Sequence, residues 1–239
     1  MRCVKQEIKM PEFNKYSIFN LQFSFPCLYV FICSLLFIGI TEESPAQTWH
    51  RVRWVNDGDT IVLNTGQRVR YIGINTPEIE HDDQKAQPFG YQAKSYNKML
   101  VKSRKVRLEY DADRRDRYGR YLAYVFLEDC TFVNARLLEA GLAYYLHRKP
   151  NSKYAEILLK AQQEAMVSRK GLWRNWSEKE QIYIGNRNSK RFHVTGCKFA
   201  EKINPRNRVR FSSKWTAFYL GYAPSKKCIE KYWGDGTGN

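Results

Sequence analysis

From Trp49 onward apolar and polar residues alternate in short runs. HRVRWVNDGDTIVLNTGQRVRYIGI, residues 50–74, carries β-branched and aromatic side chains with polar ones interleaved. The pattern breaks at Asn56-Asp57-Gly58-Asp59 and again at Asn64-Thr65-Gly66, both with turn chemistry. It predicts a three-stranded meander over about 49–55, 60–63 and 67–74. A polar loop without periodicity follows over 79–88. Helical spacing of apolar residues predicts a helix from Phe89 to Leu100. KVRLEYD (105–111) and YLAYVFLE (121–128) read as two further strands, joined by the charged turn ADRRDRYGR. TFVNARLLEAGLA predicts a second helix, with Thr131 as N-cap and Gly141 just past its end. YAEILLKAQQEAMVSRKGLW predicts a third, amphipathic helix with a glycine stop at Gly171.

Five short strands with three helices between and after them predict an α+β fold dominated by β, a small closed antiparallel barrel of the OB type over residues 47–174. A polar linker runs from about Asn175 to Ile182. Residues 183–233 read as a second, small and basic unit. No internal repeat is visible.

Ahead of the barrel, residues 1–46 read as a leader. Arg2, Lys5, Lys9 and Lys15 precede LYVFICSLLFIGI, residues 28–40. Such a run is short for a membrane span and suits a signal-peptide core. Ser44 and Ala46 place small residues at the −3 and −1 positions of a cut after Ala46. The long lead before Leu28 leaves two readings, a cleaved export signal or a retained membrane anchor. The first makes the protein secreted or extracytoplasmic, by bacterial-type export.

Composition adds two constraints. Hydrophobic residues make up 43% of the 239, enough for a real core, which excludes a globally disordered chain. The net charge is +16. The leader is balanced, so the excess lies beyond it: 22 basic against 15 acidic residues in 47–173, and 14 against 5 in 174–239. A folded chain with this excess suits a polyanionic partner, nucleic acid or an anionic membrane face. Charge alone fits plain solubility as well. Cys130, Cys197 and Cys228 lie beyond the leader, too few for a disulfide framework.

The candidate chemistry lies in polar residues the strand pattern does not need. Asp57 and Asp59 flank Gly58 at a strand entry. Arg70 sits inside the third strand, Asn75, Thr76 and Glu78 follow its end, and Arg120 closes the next charged turn. Strand ends at one rim of a barrel converge. The group would join carboxylate and amide oxygens, which suit a hard cation, to two guanidiniums, which suit a phosphate. A further carboxylate could take a proton from water. Those are the parts that phosphodiester hydrolysis requires. Taken singly, each is an ordinary turn former or rim charge.

The motifs DGDT (57–60), VRYIGINTPE (69–78), FGYQA (89–93), DRYGR (116–120), VNARLLEAGLA (133–143) and Lys149-Pro150-Asn151 occur in this order. Together they resemble the staphylococcal (micrococcal) nuclease family, over about His50 to Trp173. The resemblance implies an OB barrel with three helices and calcium-dependent cleavage of DNA and RNA, single strands preferred, leaving 3′-phosphate ends. It implies that Asp59, Asn75 and the Thr76 carbonyl ligate calcium. Glu78 would be the general base, or would order the attacking water, and Arg70 and Arg120 would clamp the scissile phosphate. Asp57 would be an acidic neighbour of the site. Arg117 and Tyr118 would contact the adjacent phosphate. No protein partner is implied.

Two departures stand out. Asn75 occupies a position where the family usually has a second aspartate, which keeps a ligand oxygen but drops one charge, so calcium is expected to bind more weakly with the chemistry retained. The segment AYYLHRKPN is one residue shorter than the family's, so Tyr145 and His147 are candidates for base stacking, with Tyr144 beside them, against an equal expectation that they only pack.

In the basic unit, His193-x₃-Cys197 and the later Pro-Ser-Lys-Lys-Cys228 suggest an incomplete four-ligand zinc site. The unit is similar to the metal-binding domain of the Ada DNA-repair protein, with Ser225 where the pattern has a cysteine. Serine is a poor zinc ligand. Three readings stay open: zinc held by His193, Cys197 and Cys228, a Cys197–Cys228 disulfide, or two buried thiols. The whole chain admits three functions: a secreted calcium-dependent nuclease, a non-catalytic nucleic-acid-binding barrel, or a membrane-anchored handler of extracellular DNA.

Overall fold

A computed structural model describes residues 48–80 and 85–228. The leader, with its apolar run over 28–40, lies outside the described residues, as does the end of the basic unit beyond 228. Among the described residues no helix is long and apolar enough to cross a membrane.

Five strands close a barrel: β1 (Trp49–Val55), β2 (Thr60–Leu63), β3 (Arg68–Tyr71), β5 (Lys105–Glu109) and β6 (Tyr121–Leu127), in the order β1-β2-β3-β6-β5. β5 pairs back onto β1 and closes the cylinder. Every pairing is antiparallel except β3 with β6, which run parallel. The alternation is the cause: Ile61, Leu63, Val69, Val106 and Leu127 point inward and are fully buried.

The strand expected over 67–74 is two strands. Its ladder stops at Tyr71, the chain turns at Ile72-Gly73, and β4 (Ile74–Asn75) pairs with β7 (Tyr144–Tyr145) outside the barrel. Gly73 has φ 78, a left-handed value that a side chain resists, and a Cβ there would strike Leu158.

Helix α1 (Gly90–Val101) lies one residue along from its expected place. Helix α2 (Val133–Glu139) starts after Phe132 with no side-chain cap, so Thr131 is not its N-cap; the main-chain N–H of Leu127 donates to the Thr131 carbonyl instead. Helix α3 (Ala155–Val167) ends before Gly171, which opens a short 3₁₀ turn to Trp173.

Beyond the irregular stretch 174–182, β8 (Tyr183–Asn186), β9 (Arg191–Val194), β10 (Arg208–Phe211) and β11 (Ala223–Pro224) form a four-stranded sheet, with β11 parallel to β9. Two short helices, α4 (Lys198–Glu201) and α5 (Lys214–Tyr219), pack with it. This segment is not held on a loose tether. Ala165, Met166, Leu172 and Trp173 share one apolar core with Tyr183, Phe192, Phe211, Phe218 and Tyr222. Gln162 Nε2 donates to the Phe218 carbonyl, and the Glu178 carboxylate accepts the N–H groups of Lys214 and Trp215.

Candidate active site

At one end of the barrel the chain leaves a cleft of about 330 Å³, lined by Asp57, Asp59, Arg70, Asn75, Glu78, Tyr118 and Arg120 among others. These come from four stretches of sequence that the topology brings together.

The 57–60 turn is set by its own chemistry. The Asp57 carboxylate accepts the N–H of Asp59, two residues on. A Cβ on Gly58 would lie 2.6 Å from the Thr76 hydroxyl, so only glycine lets this turn press against Thr76. Asp59 is 5% exposed and its Oδ2 accepts the N–H and hydroxyl of Thr76. Burial pushes its carboxyl up to about 7, against the downward pull of Arg70.

Arg70 leaves the end of β3 and turns into the cleft. Its Nη1 donates to the Tyr71 carbonyl at 2.7 Å, and its Nη2 bridges Asn75 Oδ1 and Asp59 Oδ2, each at 3.0 Å. A guanidinium has five donors, so some remain for a phosphate. Asn75 is held by the β4–β7 ladder opposite Tyr144, and its Nδ2 donates to the Thr76 carbonyl.

Glu78 is fixed through its main chain. Its N–H donates to Gln87 Oε1, and its carbonyl accepts the N–H of Gln87. The start of α1 presses on that same carbonyl, where a Cβ on Gly90 would lie 2.5 Å away. The side chain projects into the cleft half-exposed and pairs at 2.7 Å with Lys226, from the basic unit.

Arg120 is anchored by a carboxylate that sequence reasoning passed over. Asp116 accepts the N–H groups of Tyr118 and Arg120 with Oδ1, and Arg120 Nε and Nη2 with Oδ2 at 2.8 and 2.7 Å. Burial would raise the Asp116 carboxyl, but these bonds hold it below the usual carboxylate range. Arg117 and Arg120 both lie against the Tyr118 ring, at 4.8 and 5.5 Å from its centre. Tyr118 is exposed at the mouth.

The stacking candidates fall elsewhere. Tyr145 is 6% exposed, packed in the barrel core, with its hydroxyl 3.2 Å from His147 Nδ1. Tyr144 is buried in the second core. Neither ring is presented to a base, because each is packed into an apolar core. His147 lies beside the cleft but does not line it, and Arg191 Nη2 donates to its carbonyl. Arg148 and Lys226 do line the cleft, and both were missed. Arg148 sits next to the Lys-Pro-Asn motif, a local signal. Lys226 had none, being 148 residues from Glu78 in sequence.

Asp59, Asn75 and the Thr76 carbonyl form an all-oxygen donor set, whose chemistry fits a hard cation. Here the Arg70 guanidinium supplies the positive charge between Asp59 and Asn75, so a cation would compete with it.

A second donor group lies in the basic unit. His193 Nδ1 is 3.7 Å from Cys197 Sγ and 3.3 Å from Cys228 Sγ, and the three donors lie within 4.8 Å of one another. Tetrahedral zinc, with bonds of about 2.0 Å to nitrogen and 2.3 Å to sulfur, needs a nitrogen–sulfur separation of roughly 3.5 Å. Both cysteines are free thiols, so the disulfide between them is not formed. Burial holds His193 below its ordinary range, which keeps the imidazole neutral and able to ligate. Burial raises Cys228 to about 11; for Cys197 burial is outweighed by the Cys228 thiol and by the Phe199 and Ala200 amides, which hold it low. Buried Ser225, whose N–H donates to the Phe192 carbonyl, occupies the position where a fourth ligand was expected.

Comparison with known proteins agrees with the barrel. The sequence model of the staphylococcal nuclease homologue family matches residues 68–175. The chain is 42% identical over 132 residues to the thermonuclease of Staphylococcus hyicus, covering 54% of this chain and 77% of that one. It is 41% identical over 125 residues to the thermonuclease of Staphylococcus intermedius, covering 51% and 74%. To the endonuclease YncB of Bacillus subtilis it is 43% identical over 122 residues, covering 49% and 57%.

Proposed function

The chain belongs to the staphylococcal nuclease family, and from that premise we propose that it is a calcium-dependent endonuclease that hydrolyses DNA and RNA and leaves 3′-phosphate ends. The observation that carries this reading is that Arg70, Glu78 and Arg120 line one cleft together with Asp59 and Asn75.

Arg70 and Arg120 grip the scissile phosphate with the donors left over from their anchors, and offset the charge that builds on its oxygens in the transition state. Glu78 takes up or orients the attacking water, a role its fixed main chain serves by holding the carboxylate at one place. Tyr118 and Arg117 at the mouth steady the neighbouring phosphate. Asp59, Asn75 and the Thr76 carbonyl hold calcium, and calcium bound there supplies Lewis-acid polarisation of phosphate oxygens. The charge excess beyond residue 46 draws in the polyanion, and the leader reading makes the enzyme an exported one. In the basic unit, His193, Cys197 and Cys228 would hold zinc, which would tie β9 to the segment that carries Cys228.

The test is cleavage of single-stranded DNA by the purified protein across calcium from micromolar to millimolar, with chelator and Glu78→Gln controls. Cutting that needs calcium and falls about 10²- to 10⁴-fold in the Gln variant supports the enzyme. Tight binding without cutting at any calcium level leaves a nucleic-acid-binding barrel instead. Metal analysis of the same preparation reads the zinc assignment: a Cys197→Ala variant that keeps its zinc content would sink it.

A further inference from the structure

The Glu78–Lys226 pair joins the cleft to a segment that lies outside the residues matched by the family model, 68–175. We propose that Lys226 is a positioning residue that substrate exchanges: it caps the Glu78 carboxylate in the free protein and passes to a phosphate flanking the scissile one when a polymer enters. This rests on the nuclease reading above.

Three observations carry it. First, the main chain that bears Lys226 is fixed to the basic unit. β11 pairs with β9, the Ser225 N–H donates to the Phe192 carbonyl, the Cys228 N–H donates to the Ser225 carbonyl, and the Cys228 thiol sits 3.3 Å from His193. The basic unit in turn shares a core with α3 and Trp173. The loop therefore delivers its lysine to one place, and the freedom that remains is in the four-carbon stem.

Second, the contact competes with what Glu78 must do. Oε1 accepts the ammonium at 2.7 Å, which takes up one of the carboxylate's acceptor sites and lowers its basicity toward a water. Yet the pair is open to solvent, with side chains 60% and 46% exposed. A pair this exposed is weak, and ionic strength weakens it further. A phosphate diester arriving in the cleft brings a competing anion.

Third, the company is right for a backbone track. Arg120, Arg148 and Lys226 line one cleft. Arg120 is committed to the central phosphate by the Asp116 anchor, which leaves Arg148 and Lys226 for the flanking ones. Lysine suits this task better than arginine suits it, as a hydrated point charge on a flexible stem releases one partner for another easily.

Kinetics on two substrates test the idea. One is a single-stranded DNA oligonucleotide; the other is a nucleoside monophosphate aryl ester, which has one diester and no flanking phosphate. For Lys226→Met, kcat on the small ester should rise about two- to fivefold, the range that an exposed pair's strength allows. On the oligonucleotide, KM should rise, and the slope of log(kcat/KM) against log salt should become shallower by about 0.7, one phosphate contact fewer. Lys226→Arg should keep the oligonucleotide KM and salt slope. The proposal is overturned if Lys226→Met leaves both substrates unchanged, or lowers kcat equally on both. A wild-type protein that cuts neither substrate rejects the nuclease reading itself, and this proposal with it.

Discussion

Asn75 shows how one side chain reorganises a site without emptying it. Its Oδ1 and the Asp59 carboxylate share one guanidinium hydrogen-bonding nitrogen, and its Nδ2 satisfies the Thr76 carbonyl. The buried polar groups are thus paired among themselves. The cost is charge: the proposed calcium ligands carry one carboxylate, Asp59, which burial pushes up to about 7. Asn75→Asp should lower the calcium concentration for half-maximal cutting by about tenfold, read from activity against calcium, because such sites tune affinity by ligand charge. At the same scale, Asp116 is the hand that holds Arg120. Asp116→Asn loses the ionic part of that grip, and kcat/KM should fall by about 10-fold or more with little change in calcium dependence. The Asn75 departure shows in the motif itself, whereas Asp116 reads as one of several charges in a polar turn.

At the scale of elements, position comes from close backbone approach. The start of α1 lies on the Glu78 carbonyl because residue 90 has no Cβ. Gly90→Ala must push the helix or the Glu78 segment apart, and a displacement of about 1 Å at a reacting group can cost on the order of 10²-fold. We expect that loss in kcat, with the far-ultraviolet circular dichroism of the folded protein retained. The strand expected over 67–74 broke for a related reason. Residues 69–74 carry a β-rich pattern interrupted only by Gly73, and local propensity cannot see that Tyr71 completes a barrel ladder while Asn75 pairs with Tyr144. Tyr145 moved from candidate surface to core through the same pairing.

At the largest scale, the barrel and the basic unit share one apolar core. Phe218 of α5 lies edge-on to Tyr144, Trp173, Trp176 and Phe192, with ring centres 5.2–5.7 Å apart. Phe218→Ala should cost about 3–5 kcal/mol and lower a single urea transition seen by both circular dichroism and tryptophan fluorescence. Two separate transitions would show that the units fold independently. The pH dependence also belongs here. Burial would raise the carboxyls of Glu109, Asp111 and Asp116, but bonds from Lys153, Tyr154 and Arg107, from the Lys153 and Ala112 amides and Tyr124, and from Arg120 hold all three below their ordinary values. Groups with lowered native values stabilise the fold above the unfolded values of 4.5 and 3.8, and lose that contribution as pH falls through the native ones. Asp59, whose buried carboxyl is pushed up to about 7, works the other way as pH falls from about 7 to 3.8, so urea midpoints should decline below about pH 3.8, where its contribution is complete and the three lowered carboxylates take up protons.

The sequence alone determined the parts that depend on near neighbours: five barrel strands, three helices, the Asp-Gly turns and the candidate residues that the structure gathers in one cleft. Each follows from period, turn residues or motif order, which act over a few positions. Only the tertiary structure decided what depends on distant chain meeting in space. It put Asp116 under Arg120, split the third strand, buried Tyr145, left Cys197 and Cys228 as free thiols beside His193, and laid Lys226 on Glu78. The physical reason is common to all of them. Burial, pairing and charge neutralisation are properties of the packed whole, and a side chain 148 residues away leaves no mark on the local pattern of the residue it will touch.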